Sequence, residues 1–312
     1  MSTKLEPAQD RQSAPHSSSA PRSGWTRDRV ERRVFAVLRW VVIAFLLLVT
    51  IFPFYYTVLL SLRSLDEVIQ DPGALWVPPT EWVLDSYGSV VASPESGGQG
   101  FLTFMRNSGI IAVSTVALTL LVSLPGAYAV SRLEFFGRRQ ISGLFLAVYL
   151  FPSILLAVPL FVFFTRIGLR GSLVGLIIVY VSQIVAVSIY MLRNYFDTIP
   201  VSLEEAAAID GCSRLGIMRR VSFPLAMPAI ISNALFVFMI AWNEFLFALL
   251  FLIEKRDRWT VSLGLSQLAG SIEISTTVLM AGSVIITLPI IIIFFASERL
   301  LTEGLTAGAE KG

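Results

Sequence analysis

The residues best placed to act on something outside the chain lie in a polar stretch between two long apolar runs. It reads Glu204-Glu205-Ala206-Ala207-Ala208-Ile209-Asp210-Gly211 and continues to Pro224. Ser202 is expected to cap a helix whose first turn holds Glu204 and Glu205, where the helix dipole favours acids. Ala206 to Ala208 prolong that helix without bulk, so another protein's surface can come close. Gly211 suits the left-handed residue that ends one short helix and starts the next. Arg214, Arg219 and Arg220 then make the second helix basic. The chemistry on offer is docking rather than bond-making, and the competing reading is a solvated loop between spans.

Bond-making chemistry finds little support elsewhere. The 312 residues include one histidine, His16, and one cysteine, Cys212. That excludes a disulfide within the chain, histidine-based zinc sites and a Ser–His–Asp triad. No G-x-x-x-x-G-K-[ST] phosphate loop, H-E-x-x-H or G-x-S-x-G occurs. A second constellation, Trp242-Asn243-Glu244, sits inside an apolar run. A carboxylate there costs about 2.5–3.5 kcal/mol to insert, so Glu244 is expected to face protein or water. Trp242 and Asn243 add a ring and an amide of the kind that grip sugar hydroxyls. The three are about 100° apart on a helix and cannot share one direction. The alternative is that Glu244 bonds a neighbouring span and locks the bundle. One intramembrane acid is too few for an intramembrane aspartyl protease, so neither an enzyme nor a bound cofactor or metal is expected.

The elements that must carry these residues are membrane helices. Hydrophobic residues make up 55% of the chain and charged ones 15%, against about a quarter charged in soluble domains. Six apolar spans are expected, near 35–62, 107–130, 141–165, 172–193, 226–252 and 277–297. Pro125, Pro152, Pro159 and Pro289 fall within them, and the short 166–171 turn makes a hairpin of the third and fourth. The first run is too long for a secretory signal and reads as a retained anchor. Residues 1–33 are expected to be a disordered tail, 34–300 the six-span domain with the polar segment 202–224, and 301–312 a C-terminal tail. Arginines crowd the N-terminal tail, the 131–140 loop and the 202–224 segment, which the positive-inside rule puts in the cytoplasm with both termini. The net charge of +2 gives no reason to expect nucleic acid.

The spacing Glu205-Ala206-Ala207, three residues, Gly211, nine residues, then Val221-x-Phe223-Pro224 resembles the EAA loop of bacterial ABC-transporter permeases. Val221 and Phe223 stand where that pattern has Ile and Leu. The run from Trp242 to Leu249 and the ending Gly304 to Gly312 resemble carbohydrate permeases of the maltose type, with Glu310 where valine is usual. Pro53-Phe54-Tyr55 and Ser61-Leu62-Arg63 echo the same group. The resemblance implies an all-α integral membrane protein of type I ABC importer architecture, in a bacterial inner membrane. It implies a cytoplasmic helix–turn–helix docked on an ATPase dimer that holds ATP and Mg, with Glu204, Glu205, Ala206, Ala207, Asp210, Gly211 and Pro224 as coupling residues. It further implies a second homologous permease, an extracytoplasmic sugar-binding lipoprotein and a sugar substrate passing Trp242, Asn243 and Glu244. The C-terminal tail is a second coupling candidate. The 253–276 loop, with Ser266, Gln267 and Gly270, would meet the binding protein. The same machinery could carry a polyol, a glycerol-phosphate or an oligosaccharide. An ion-coupled secondary transporter would instead want inverted repeats and more intramembrane acids.

Overall fold

The computed structural model describes residues 27–272 and 274–309, with side chains described between residues 31 and 298. The described residues form helices and connections, with no strand. The chain divides after Pro53 into two units. The first helix, α1 (Arg27–Ser61), runs through that point and through Pro53 itself without interruption. Residues 27–33 are thus helical, not the end of a disordered tail, and residues 1–26 lie outside the described residues.

From Phe54 onward, short helices α2 (Leu65–Gln70) and α3 (Asp85–Val91) lead to the long α4 (Phe101–Arg132). Ser64 caps α2 in a reciprocal capping box with Glu67. Helices α5 (Arg138–Leu150), α6 (Ile154–Arg166) and α7 (Leu173–Phe196) follow. Next come α8 (Val201–Ile209), α9 (Arg214–Ile217), a π-helical turn Met218–Ser222, and α10 (Phe223–Leu225). The last are α11 (Met227–Asn243), α12 (Leu246–Leu252), α13 (Val261–Ala269) and α14 (Thr276–Ala309).

Four of these helices are long and apolar enough to cross a membrane, and six crossings result if each bent pair counts as one. The third span is one of the bent pairs. Instead of a continuous helix over 141–165, α5 and α6 meet at 94°. Pro152 explains the break: it has no N–H for the helix ladder and forces Phe151 to extended backbone, with φ −76° and ψ 127°. Pro125, Pro159 and Pro289 stay inside continuous helices. The turn from α6 to α7 uses Gly168 and Gly171, both at positive φ. Helix α7 packs on α4, α5 and α11 while α6 packs on α12, so α6 and α7 do not pair as the expected close hairpin of the third and fourth spans. The fifth span departs from a continuous 226–252 as well. Helix α11 stops at Asn243, Glu244 is extended, and α12 starts again at Leu246.

Helix α4 is the spine, packing along α7 and α11. Its 32 residues span about 48 Å, enough for the roughly 30 Å hydrocarbon core with both ends beyond it. The larger core cluster includes Phe101, Leu176, Tyr180, Val237, Leu252 and Leu263. A smaller one, with Ala127, Tyr128, Leu192, Phe196 and Ala226, fills the opposite end of α4. The 253–276 stretch, expected as a loop, contains α13 packed on α4 and α14. Helix α14 continues as backbone helix to Ala309, through most of the expected tail, and residues 310–312 lie outside the described residues.

Candidate functional site

The polar segment is a helix–turn–helix. Pro200 occupies the N-cap position of α8, so Ser202 lies inside the helix instead of capping it. Proline's fixed φ starts the helix two residues earlier than a Ser202 cap would. At the other end Gly211 adopts φ +84°, and the Cys212 N–H reaches the Ala207 carbonyl at 3.0 Å, closing the helix as the glycine's position foretells. Ser213 caps α9, its hydroxyl accepting from the Gly216 N–H. Arg214, Arg219 and Arg220 follow, but the expected single basic helix is α9, the π-helical turn and α10 in succession, with a 76° bend into α11. Pro224 is exposed, at the start of α10.

Adjacent glutamates part company here. Glu205 is exposed with Ala206, Asp210 and Gly211, while Ala207 is half-buried. Glu204 is buried against its own chain. Arg132 Nε donates to its Oε1 at 2.9 Å, Ser222 Oγ to the same oxygen at 3.0 Å, and the Tyr128 hydroxyl to Oε2 at 3.2 Å. The expected contact set therefore does not form one surface: Glu204 points inward. Beside the exposed Glu205 and Asp210 the outer surface also carries apolar side chains. Ile209 is 87% exposed, with Leu203 and Leu215 about half exposed beside it. With Val201, also about half exposed, four apolar side chains face outward on this short segment and mark a contact surface. Sequence reasoning passed over them, although apolar residues among charges were the available signal.

The second constellation separates in three directions. The Trp242 ring is buried, stacked on Phe238 with centroids 5.4 Å apart, and its N–H donates to the Ile286 carbonyl at 3.1 Å. Glu244 receives the Tyr180 hydroxyl of α7. Its carboxylate also accepts the Phe247 N–H at 2.8 Å and the Ala248 N–H at 3.2 Å, capping α12. Its carbonyl, freed by the break, accepts the Ser262 hydroxyl of α13 at 2.6 Å. Only Asn243 faces open space. With Phe245, Ser262, Ser266 and Ser283 it lines a cavity of about 470 Å³ between the α11–α12 break, α13 and α14. Leu265, Leu279, Met280 and Ile286 make the rest of the lining largely apolar. The Asn243, Ser262 and Ser283 groups, which donate to the Met239, Glu244 and Leu279 carbonyls, leave acceptor oxygens beside it.

The three residues expected together on the 253–276 segment are also divided. Ser266 lines the cavity with Asn243. Gln267 lines a second cavity of about 330 Å³ with Gln99, Arg256 and Trp259. Gly270 is exposed at the C-terminus of α13. This segment is pinned to the start of α4: Asn107 donates to the Asp257 and Trp259 carbonyls, and Ser108 accepts the Val261 N–H. The helix–turn–helix and α13 therefore sit at opposite ends of α4.

Up to six spans with a helix–turn–helix between the fourth and fifth define a multi-span helical membrane protein. The chain belongs to the family of binding-protein-dependent transport system inner membrane components, whose sequence profile matches residues 121–306, more than half its length. It is 38% identical to the inner membrane ABC transporter permease protein YcjP of Escherichia coli K12, over 86% of this chain and 94% of that one. It is 36% identical to the trehalose/maltose transport system permease protein MalG of Thermococcus litoralis, over 92% and 99% of the two chains. With the trehalose transport system permease protein SugB of Mycobacterium tuberculosis it shares 35% identity, over 89% and 97%. Its fold is that of a chain in the crystal structure of a bacterial ABC transporter involved in importing the acidic polysaccharide alginate. The TM-score is 0.74 at 24% identity, over 88% of this chain and 98% of that one.

Proposed function

We propose that this chain is the permease subunit of an ATP-driven, binding-protein-dependent sugar importer that works by alternating access. The observation that carries the reading is the helix–turn–helix Val201–Ile217, which turns Glu204 inward and leaves Leu203, Ile209 and Leu215 outward. In this reading the outward apolar side chains, with Glu205 and Ala206, seat in a cleft of a separate ATPase subunit in the cytoplasm. That subunit, a dimer, binds and hydrolyses ATP with Mg, and this chain hydrolyses nothing. Both termini are cytoplasmic, a second homologous permease completes the channel, and an extracytoplasmic binding protein delivers sugar at the α13 end. Kinship with permeases named for trehalose and maltose favours a small neutral saccharide.

The cavity beside Asn243 is then part of the sugar's path. Ser266 lines it, and Phe245 gives an apolar face. The oxygens of Asn243, Ser262 and Ser283 serve as acceptors, because these groups donate to the Met239, Glu244 and Leu279 carbonyls. Trp242 and Glu244 shape the wall without presenting polar atoms to the cargo, since the indole N–H and both carboxylate oxygens are engaged. Uptake of radiolabelled disaccharides into proteoliposomes holding the complete transporter tests the reading. ATP-dependent, binding-protein-dependent accumulation is expected. Accumulation driven by an ion gradient without ATP would contradict it.

A further inference from the structure

We infer that Glu204 is a positioning residue, whose buried carboxylate ties the helix–turn–helix to α4 and to the segment entering α11, so that displacement of α8 is carried into both spans. The inference rests on the coupling reading above and deepens it.

The side chains of Glu204 and Arg132 are each only 9% exposed. The carboxylate gathers donors from separate places in the chain: Tyr128 and Arg132 at the end of α4, and Ser222 at the end of the π-helical turn. Arg132 also holds the entry to α8. Its Nη2 donates to the Ile199 carbonyl at 2.8 Å, directly before the Pro200 that opens α8. Its Nη1 reaches Ser131 Oγ, which in turn donates to Asp197 at the end of α7. One guanidinium and one carboxylate thus connect α4, α7, α8 and the path into α11.

Burial makes this connection stiff. An exposed ion pair trades partners with water at little cost, whereas a buried pair that loses a partner leaves a charge without compensation. Helix α8 cannot move away from Arg132 without stranding one of the two. It therefore moves with them. The π-helical turn adds to the effect, because such turns mark functional positions and this one ends at Ser222 with its hydroxyl on Glu204. Helices α4 and α11 also pack on one another. A push on α8 accordingly reaches two packed spans at their bases.

The test uses the complete transporter, with its ATPase subunits, partner permease and binding protein. It reads the stimulation of ATP hydrolysis by sugar-loaded binding protein, per assembled complex. Glu204→Ala is expected to lower that stimulation about tenfold, within the roughly 5–150-fold typical of coupling between two sites. Glu204→Gln, which keeps an acceptor for Arg132 and Ser222, is expected to lose less. A purely structural role would reduce the yield of assembled complex and leave the stimulation of the assembled fraction at the wild-type level, and that result overturns the inference. If Glu204→Ala does not assemble, Ser222→Ala decides. A fall of about threefold, the worth of one hydrogen bond, supports the tether, and no fall overturns it. Ile209→Glu in the same assay separates the two claims. Full assembly and full stimulation there would mean the segment is not the coupling element at all. Loss at Ile209→Glu with wild-type behaviour at Glu204→Ala removes the tether alone.

Discussion

Tyr180 on α7 and Glu244 at the break between α11 and α12 are hydrogen-bonded, the phenol donating to the carboxylate. A carboxylate among apolar helices needs donors, and a helix that starts again in mid-bundle has orphan N–H groups. Each need answers the other. The Phe247 and Ala248 N–H groups supply donors to Glu244, and Glu244 supplies the acceptors that allow α12 to begin. The fifth span can break at this point because the residue at the break is a glutamate.

Glu244→Ala removes the cap and leaves the buried Tyr180 hydroxyl without a partner. The loss is expected to be about 2–4 kcal/mol, from one cap and one orphaned donor. Thermal unfolding of the purified complex should show a clear fall in midpoint, with Glu244→Gln in between. An Ala variant as stable as wild type would show that the break does not depend on the carboxylate.

Gly211→Ala tests the turn without disturbing packing, since a Cβ at Gly211 meets nothing within 4 Å. The whole cost is the backbone's, at φ +84°, and should be about 1–2 kcal/mol. Binding of the ATPase to permease-containing membranes should weaken accordingly, and Gly211→Asn should be milder because Asn visits this conformation more readily.

At the outward face, Ile209→Glu and Leu215→Glu put charges where apolar side chains are exposed. Each is expected to weaken ATPase docking by about 1–2 kcal/mol, roughly 5–30-fold in affinity, as for a well-placed interface residue. Titration of ATPase against permease nanodiscs measures this. The permease's own melting temperature should not move.

Gly264→Ala probes the opposite end. A Cβ there would lie 2.5 Å from a Phe104 ring carbon, so α13 cannot keep its seat on α4. Overpacking of this kind costs about 1–3 kcal/mol. Displacement of α13 also shifts Ser266 in the cavity wall. Uptake is expected to show a raised KM for sugar with a smaller change in maximal rate.

The spans and the turn were legible because their causes are local. Apolar runs report spans, and Gly211 at its offset from Glu205 reports the left-handed turn. The breaks were less so. Pro152 interrupts its span whereas Pro125, Pro159 and Pro289 do not, and residue type alone cannot separate them. Around Glu244 no proline or glycine interrupts the span, and the break depends on Tyr180, 64 positions away. Glu204 and Glu205 are the same residue side by side, about 100° apart on the helix. Which one faces inward is decided by Arg132, 72 positions upstream, and no local pattern carries that information.

The most direct measurement is crosslinking at the docking face. In a Cys212→Ser background, Ile209→Cys would be probed with a short bifunctional thiol reagent against single cysteines lining the ATPase cleft, in a transporter that still imports sugar. The account predicts a crosslink between Ile209→Cys and the ATPase whose yield changes when ATP is bound. An assembled, transporting complex in which that cysteine stays freely reactive to water-soluble thiol reagents and never crosslinks to the ATPase would contradict it.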